Sequence, residues 1–311
     1  MTCRRRLAAG TLPIREAKAP IKRRFLQRHV SQVALSPSLA LIAIFLYGFI
    51  AYTAAVSTTN SKAFPRFDTF VGLEQYWRLF HTPRWHVAFT NMFLFGGLFL
   101  LVTISLGLLI AILIDQRIRA ESFFRSIVMY PMAMSFVVTG IIWQWLLNPT
   151  LGIEVMMHQL GFESFRLDWL TNPDTVIWAL VVAAFWQGCG LVMALFLAGL
   201  RGIDEDIWKA AAVDGIPAWR VYVFIVIPML APVFLTVVVL LSLSIVRAFD
   251  LVVALTNGGP GVSSDLPSVF MFDMAFRRTN LGLSAASAVV MLGTVLAILI
   301  PYLYVETRER A

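Results

Sequence analysis

Charge is scarce in this chain. Asp, Glu, Lys and Arg make up only 14% of its 311 residues, 59% are apolar, and the mean hydropathy is +0.78. A soluble domain of that size would lack the polar surface to cover itself, so the composition excludes one and assigns the chain to a bilayer. Cysteine is scarcer still. Cys3 and Cys189 fall on different sides of the topology derived below, which excludes a disulfide framework, and no Cys or His spacing suits a metal. The four histidines, His29, His81, His86 and His158, stand outside the apolar runs at unrelated spacings. There is no G-x-x-x-x-G-K-S/T loop to cradle a nucleotide phosphate, and no nucleophile, acid and base converge inside the apolar runs. Neither an ATPase nor a membrane-embedded enzyme is therefore expected. Long low-complexity segments and short-period repeats are missing too, which points to one membrane domain. No apolar h-region precedes the first full-length run, so no removable signal peptide is expected.

What is present is six windows with the length and apolarity of a spanning helix, at 33–56, 91–114, 123–147, 175–200, 229–255 and 283–305. All six are expected to be helices, giving an all-α integral membrane fold. Pro131, Gln144 and Asn148 fall in or beside the third, and Arg247 and Asp250 near the end of the fifth. A spanning helix tolerates such residues where neighbouring helices or a wet cavity satisfy them. The cations between windows alternate: 1–32, 115–125, 201–227 and the C-terminal tail hold seventeen Lys and Arg, against seven in 57–87, 148–174 and 256–282. That asymmetry predicts cytoplasmic termini and a cytoplasmic 201–227 segment. The chain then divides into a basic cytoplasmic tail at 1–32, a six-helix domain at 33–305 with a polar insert at 201–228, and a short cytoplasmic tail at 306–311. The net charge of +7 reads as a topology signal with affinity for anionic lipid head groups, and not as a nucleic-acid site.

Two polar connections carry helical signals of their own. In the insert, Asp204, Glu205 and Asp206 suit a helix N-terminus, where free amides and the dipole favour acids, and residues 207–213 supply good helix formers. Gly215 can take the left-handed conformation of a C-terminal cap, and Pro217 suits the first turn of a second helix leading into Pro228 and Pro232. The insert thus reads as helix, tight turn, helix. Three consecutive alanines permit close approach of another surface, while Trp208, Trp219 and Tyr222 offer large anchors, so a docking element and an amphipathic connector lying on the membrane fit equally well. Between the first two windows, residues 70–80 read as a short amphipathic helix with Leu73, Tyr76, Trp77 and Phe80 on one face. It suits the outer membrane surface or a contact for an external partner.

The string KAAAVDGIPAWRVYVFIVIP at 209–228 resembles the EAA signature of permease subunits of binding-protein-dependent ABC importers. FDLVVALTNGGPG at 249–261 is similar to a segment of sugar permeases of the maltose and α-glucoside type, and VGLEQY at 71–76 resembles the start of their first external loop. The resemblance covers about 33–305 in the right order. It implies the type I importer permease fold in a bacterial cytoplasmic (inner) membrane. It implies a cytoplasmic coupling helix, with Lys209, Ala210, Ala211, Asp214 and Gly215 meeting an ATPase. It further implies a second permease subunit, two cytoplasmic ATPase subunits that bind ATP and Mg, and a periplasmic or lipid-anchored solute-binding protein delivering a sugar or glycoside. No cofactor is expected on this chain. Lys209 stands where the signature has Glu, and Ile216 where it usually has Ala; a reversed charge at 209 predicts a compensating acid in the groove it meets, or no contact there.

By the same resemblance, Trp186, Gln187 and Gly190 on the fourth span and Leu243, Ser244 and Arg247 on the fifth occupy the stretches that line the sugar path, and Asp250 near the end of the fifth is placed on the path with them. Their polarity at that depth points the same way. Gln187 and Ser244 could equally make interhelical hydrogen bonds, and Arg247 could pair with Asp250, three residues on and on the same helix face. Trp143, Gln144 and Trp145 read as an aromatic belt or a cavity wall. The alternative function is an ATP-independent secondary transporter or a channel for small polar solutes. A secondary transporter would need internal duplication and ion-coupling acids, of which only Asp250 offers a trace.

Overall fold

A computed structural model describes the backbone of residues 21–116 and 119–309 and the side chains of 35–116 and 119–301. Among the described residues the regular secondary structure is all helical, joined by turns and irregular connections, apart from one isolated antiparallel bridge between Thr59 and Phe70. In chain order the helices are α1 (Ile21–Ser57), α2 (Glu74–Phe80), α3 (Pro83–Asp115), α4 (Glu121–Met129), α5 (Phe136–Leu146), α6 (Ile153–Gln159) and α7 (Val176–Arg201). There follow α8 (Glu205–Val213), α9 (Ala218–Val221), α10 (Ile227–Met229), α11 (Ala231–Val246), α12 (Phe249–Leu255), α13 (Pro267–Phe272) and α14 (Leu281–Glu309). Contacts divide the chain at Tyr52: residues up to it, most of α1, form one unit, and 53–311 form the other.

Four of the six expected spans are unbroken, at Leu35–Ser57, Pro83–Asp115, Val176–Arg201 and Leu281–Pro301. The other two are not single helices. The third window bends by 103° between Ala133 and Phe136, and the fifth region bends by 67° between Met229 and Ala231. Proline accounts for both sites. Pro131 lies in a 3₁₀ turn, Tyr130–Ala133, and Pro228 and Pro232 flank Leu230. Each ring removes a backbone donor and crowds the turn before it. The fifth window breaks again at Arg247 and Ala248, so α11 and α12 are separate pieces. Counting each bent pair as one span restores six.

Within the larger unit, α3 packs along α7, and α11 lies against both. Lipid tails are as apolar as leucine, so close packing and polar contacts, more than burial itself, specify such an arrangement. Phe95, Met193 and Phe196 are fully enclosed here, and the Phe196 ring meets Phe234 edge-on at 4.7 Å. A second cluster of Leu79, Trp85, Phe270, Met274 and Leu283 ties α2 and the start of α3 to α13 and α14.

Candidate functional site

The insert folds as a capped helix held between two spans. Asp204 caps α8, its carboxylate accepting from the Asp206 amide at 3.0 Å, and Glu205 and Asp206 occupy the first turn. At the other end Gly215 has φ +66°, a conformation open to glycine at no steric cost. The Gly215 amide donates to the Ala212 carbonyl at 3.3 Å and the Ile216 amide to that of Ala211 at 3.0 Å, the paired bonds of a Schellman cap. Ala211 is buried beneath the helix, while Lys209, Ala210, Asp214 and Gly215 are exposed. Val213 is 87% exposed and Trp219 59%, so large apolar groups stand uncovered on the outward face of the insert beside the charges of Lys209 and Asp214. Lys209 meets its acids at home: its ammonium lies 2.9 Å from Asp206 and 3.9 Å from Glu205, one turn back on the same helix. The reversed charge at 209 is thus balanced within α8 itself.

The insert rests on the ends of several spans. Arg201, closing α7, lies 2.6 Å from Glu121 and 3.7 Å from Asp115, which joins the ends of α7, α3 and α4. Trp208 of α8 meets the Tyr222 ring edge-on at 5.3 Å, and the Gln116 side-chain amide donates to the Tyr222 hydroxyl at 2.7 Å. Between these contacts lies an open cleft of about 1050 Å³, bordered by Asp115, Arg201, Glu205 and Lys209 among others. Hydropathy scanning could not have found this seat, because its partners are brought together only by packing.

The seven expected pathway residues are spread over several surfaces. Gln187 is buried, and its amide nitrogen donates to the Met134 carbonyl at 2.7 Å, at the bend of the third span. That bend leaves Met134 out of any helix, and Ser135 caps α5 by accepting from the Val138 amide at 3.3 Å. The Gln187 carbonyl oxygen is buried without a hydrogen-bond partner among the described residues. Trp186 packs edge-on against Trp143 at 6.0 Å, so Trp143 belongs to an internal aromatic pair, whereas Trp145 is exposed. Gly190 lies against the third span so closely that a Cβ there would sit 2.7 Å from the Val128 carbonyl oxygen. Leu243 shares a crevice with Val295, Ile298 and Leu299 of α14, and the Ser244 hydroxyl donates to the Leu240 carbonyl of its own helix at 3.0 Å. Arg247 and Asp250 are both exposed, and no ion pair between them is formed among the described residues. They do not share a helix face as expected, because the chain leaves α11 at Arg247 and re-enters helix at Phe249.

At the opposite end of α3 is a charged cluster that the sequence did not suggest. Arg84 donates to Asp265 at 2.5 Å and also pairs with Asp273, which in turn receives Arg278 at 3.2 Å. Asn91 adds hydrogen bonds to the backbone carbonyls of Ser263 at 2.7 Å and Asp265 at 3.0 Å. Thr256 and Ser264 close the intervening loop through their hydroxyls at 2.8 Å. Burial pushes the Asp265 carboxyl above the ordinary carboxylate range, against the opposing pull of Arg84. The signal that could have exposed this cluster is the placement of Asp265 and Asp273 in the apolar run DLPSVFMFD.

These features match known proteins over most of the chain. Residues 103–310 match the family described as binding-protein-dependent transport system inner membrane component. A probable ABC transporter permease of Pyrococcus horikoshii is 36% identical over 271 residues, covering 87% of this chain and 93% of that protein. The xylose/arabinose import permease XacH of Haloferax volcanii is 33% identical over 273 residues, covering 86% of this chain and 85% of its own. In fold, a chain of a bacterial alginate ABC transporter, solved in complex with an alginate pentasaccharide-bound periplasmic protein, superposes with a TM-score of 0.78 at 20% identity. The superposition covers 92% of this chain and 96% of that one. With its apolar spans, capped insert and matches along nearly its whole length, the chain belongs to the family of binding-protein-dependent transport system inner membrane components, and is a multi-pass ABC transporter permease.

Proposed function

We propose that this permease is one half of the translocation pathway of an ATP-driven sugar or glycoside importer, coupled to a cytoplasmic ATPase through α8. The observation that carries the reading is the insert: a helix capped at both ends, held between two spans, with Val213 and Trp219 uncovered. The Schellman turn at Asp214 and Gly215 fixes where α8 ends and so holds its exposed face in a defined position. Lys209, Ala210, Asp214 and Gly215 lie on the docking surface in this reading, and Ala211 lets the helix sit close to the spans behind it. The positive-inside bias supports a cytoplasmic insert and cytoplasmic termini.

The division of labour follows from chemistry. This chain has no phosphate-cradling loop, so ATP and Mg belong to two partner ATPase subunits. A second permease completes the pathway, and a solute-binding protein delivers the substrate from the other side. The substrate class rests on the pentose-importing relative and on the maltose-type motifs. Inside the membrane, the edge-on Trp186 and Trp143 pair offers a stacking surface, and Gln187, next in the chain to Trp186, holds a buried carbonyl oxygen that would become an acceptor for sugar where the spans part. Arg247 and Asp250, exposed at a helix break, offer charges for hydroxyl groups on the wall shared with the second permease. Co-purification tests the reading: the wild-type chain should hold an ATPase partner, and replacing Asp214 and Gly215 together should release or uncouple it while the permease stays in the membrane. Normal uptake by that double variant would overturn the assignment of α8.

A further inference from the structure

The helix α8 meets the spans behind it through Ala211, buried in the main apolar cluster, and through Trp208, and beside these contacts opens the cleft of about 1050 Å³. An open cleft carries no load. Packed rings and hydrogen bonds do, and here they form a chain: the Trp208 ring on Tyr222 at 5.3 Å, and the Tyr222 hydroxyl on Gln116 at 2.7 Å. Gln116 caps the end of α3, the helix that packs along α7. Tyr222 also opens a π-helical turn, Tyr222–Val226, just before the 67° bend into α11. Such a turn breaks the regular backbone ladder and marks a place where a helix can change its course. One push on Trp208 therefore reaches two spans, α3 through the hydroxyl and α11 through the backbone.

We infer that Trp208, Tyr222 and Gln116 form the mechanical link by which movement of α8 is passed to α3 and α11. The three are positioning residues, and the inference rests on the reading of α8 as the ATPase-docking helix. Energetic coupling of this kind travels through contiguous side chains with discrete arrangements.

Hydrogen exchange on the full complex tests it, comparing the nucleotide-free state with the state trapped by MgATP and vanadate. In the wild type, trapping should change exchange at 108–116 and at 222–230. In Trp208→Ala the ATPase should still co-purify and turn over, while both differences shrink roughly ten-fold. Trp208→Phe, which keeps a ring on Tyr222, should restore them. Tyr222→Phe should lose the difference at 108–116 and keep that at 222–230. The link is overturned if Trp208→Ala leaves the differences intact, if the wild type shows none at 108–116, or if Trp208→Ala sheds the ATPase, which would make Trp208 a docking anchor. A wild-type chain that holds no ATPase would instead bring down the docking reading, and this inference with it.

Discussion

Gln187 shows how one side chain can hold a broken span in place. Its amide satisfies the Met134 carbonyl, which the 103° bend removes from the helical ladder. Gln187→Leu should therefore cost about 1 kcal/mol by orphaning that carbonyl, seen as a lower melting temperature of the solubilised complex. If the free oxygen of Gln187 also receives sugar, uptake should fall further than that small loss of stability explains. The charged cluster offers a sharper contrast. Arg84→Leu leaves Asp265 and Asp273 buried without their main cation and should destabilise by about 3 kcal/mol in denaturant unfolding. Asp265→Asn should cost much less. Arg84 keeps Asp273 as a partner, and the amide oxygen can still accept from Arg84 without the desolvation cost that burial imposes on the carboxylate. The sequence made Gln187 visible, because a polar residue inside an apolar run stands out. Arg84 was counted only as a topology charge, since its partners lie 181 and 189 positions away.

Helices were legible wherever their signals were local. The acids at 204–206, Gly215 and Pro217 place the caps of α8 and the start of α9 within a residue or so of where they stand. The breaks in the third and fifth windows were less legible. Pro131, Pro228 and Pro232 were in view, but hydropathy averages over a window and cannot tell a tolerated proline from a bend. The interruption at Arg247 has no proline at all, and the expected pair with Asp250 failed because a helix face was assumed across it. The insert makes a test of its own. Gly215→Val forces a β-branched residue to φ +66° and should cost about 1–3 kcal/mol locally, enough to undo the Schellman turn. Membrane insertion should survive, while ATP turnover stimulated by loaded binding protein should drop; stimulation at the wild-type level would show that the turn does not matter for coupling.

For the whole molecule, composition alone settles the solvent, and the motifs with their order settle the family. What the sequence could not reveal is which polar residues meet one another, because in a bundle of spans those meetings are made by packing across long separations. An assembly that depends on outside energy has a clear signature. The purified chain alone should hydrolyse no ATP, and activity in a clean preparation would contradict the division of labour. The most direct measurement is transport by proteoliposomes holding this permease with its second permease and ATPase, ATP inside and binding protein outside, assayed with labelled xylose, arabinose and maltose. The expected result is accumulation of at least one of them above the outside concentration, requiring ATP and binding protein and abolished by replacing Asp214 and Gly215. Equilibration of the same sugars by this chain alone, without ATP, would contradict it.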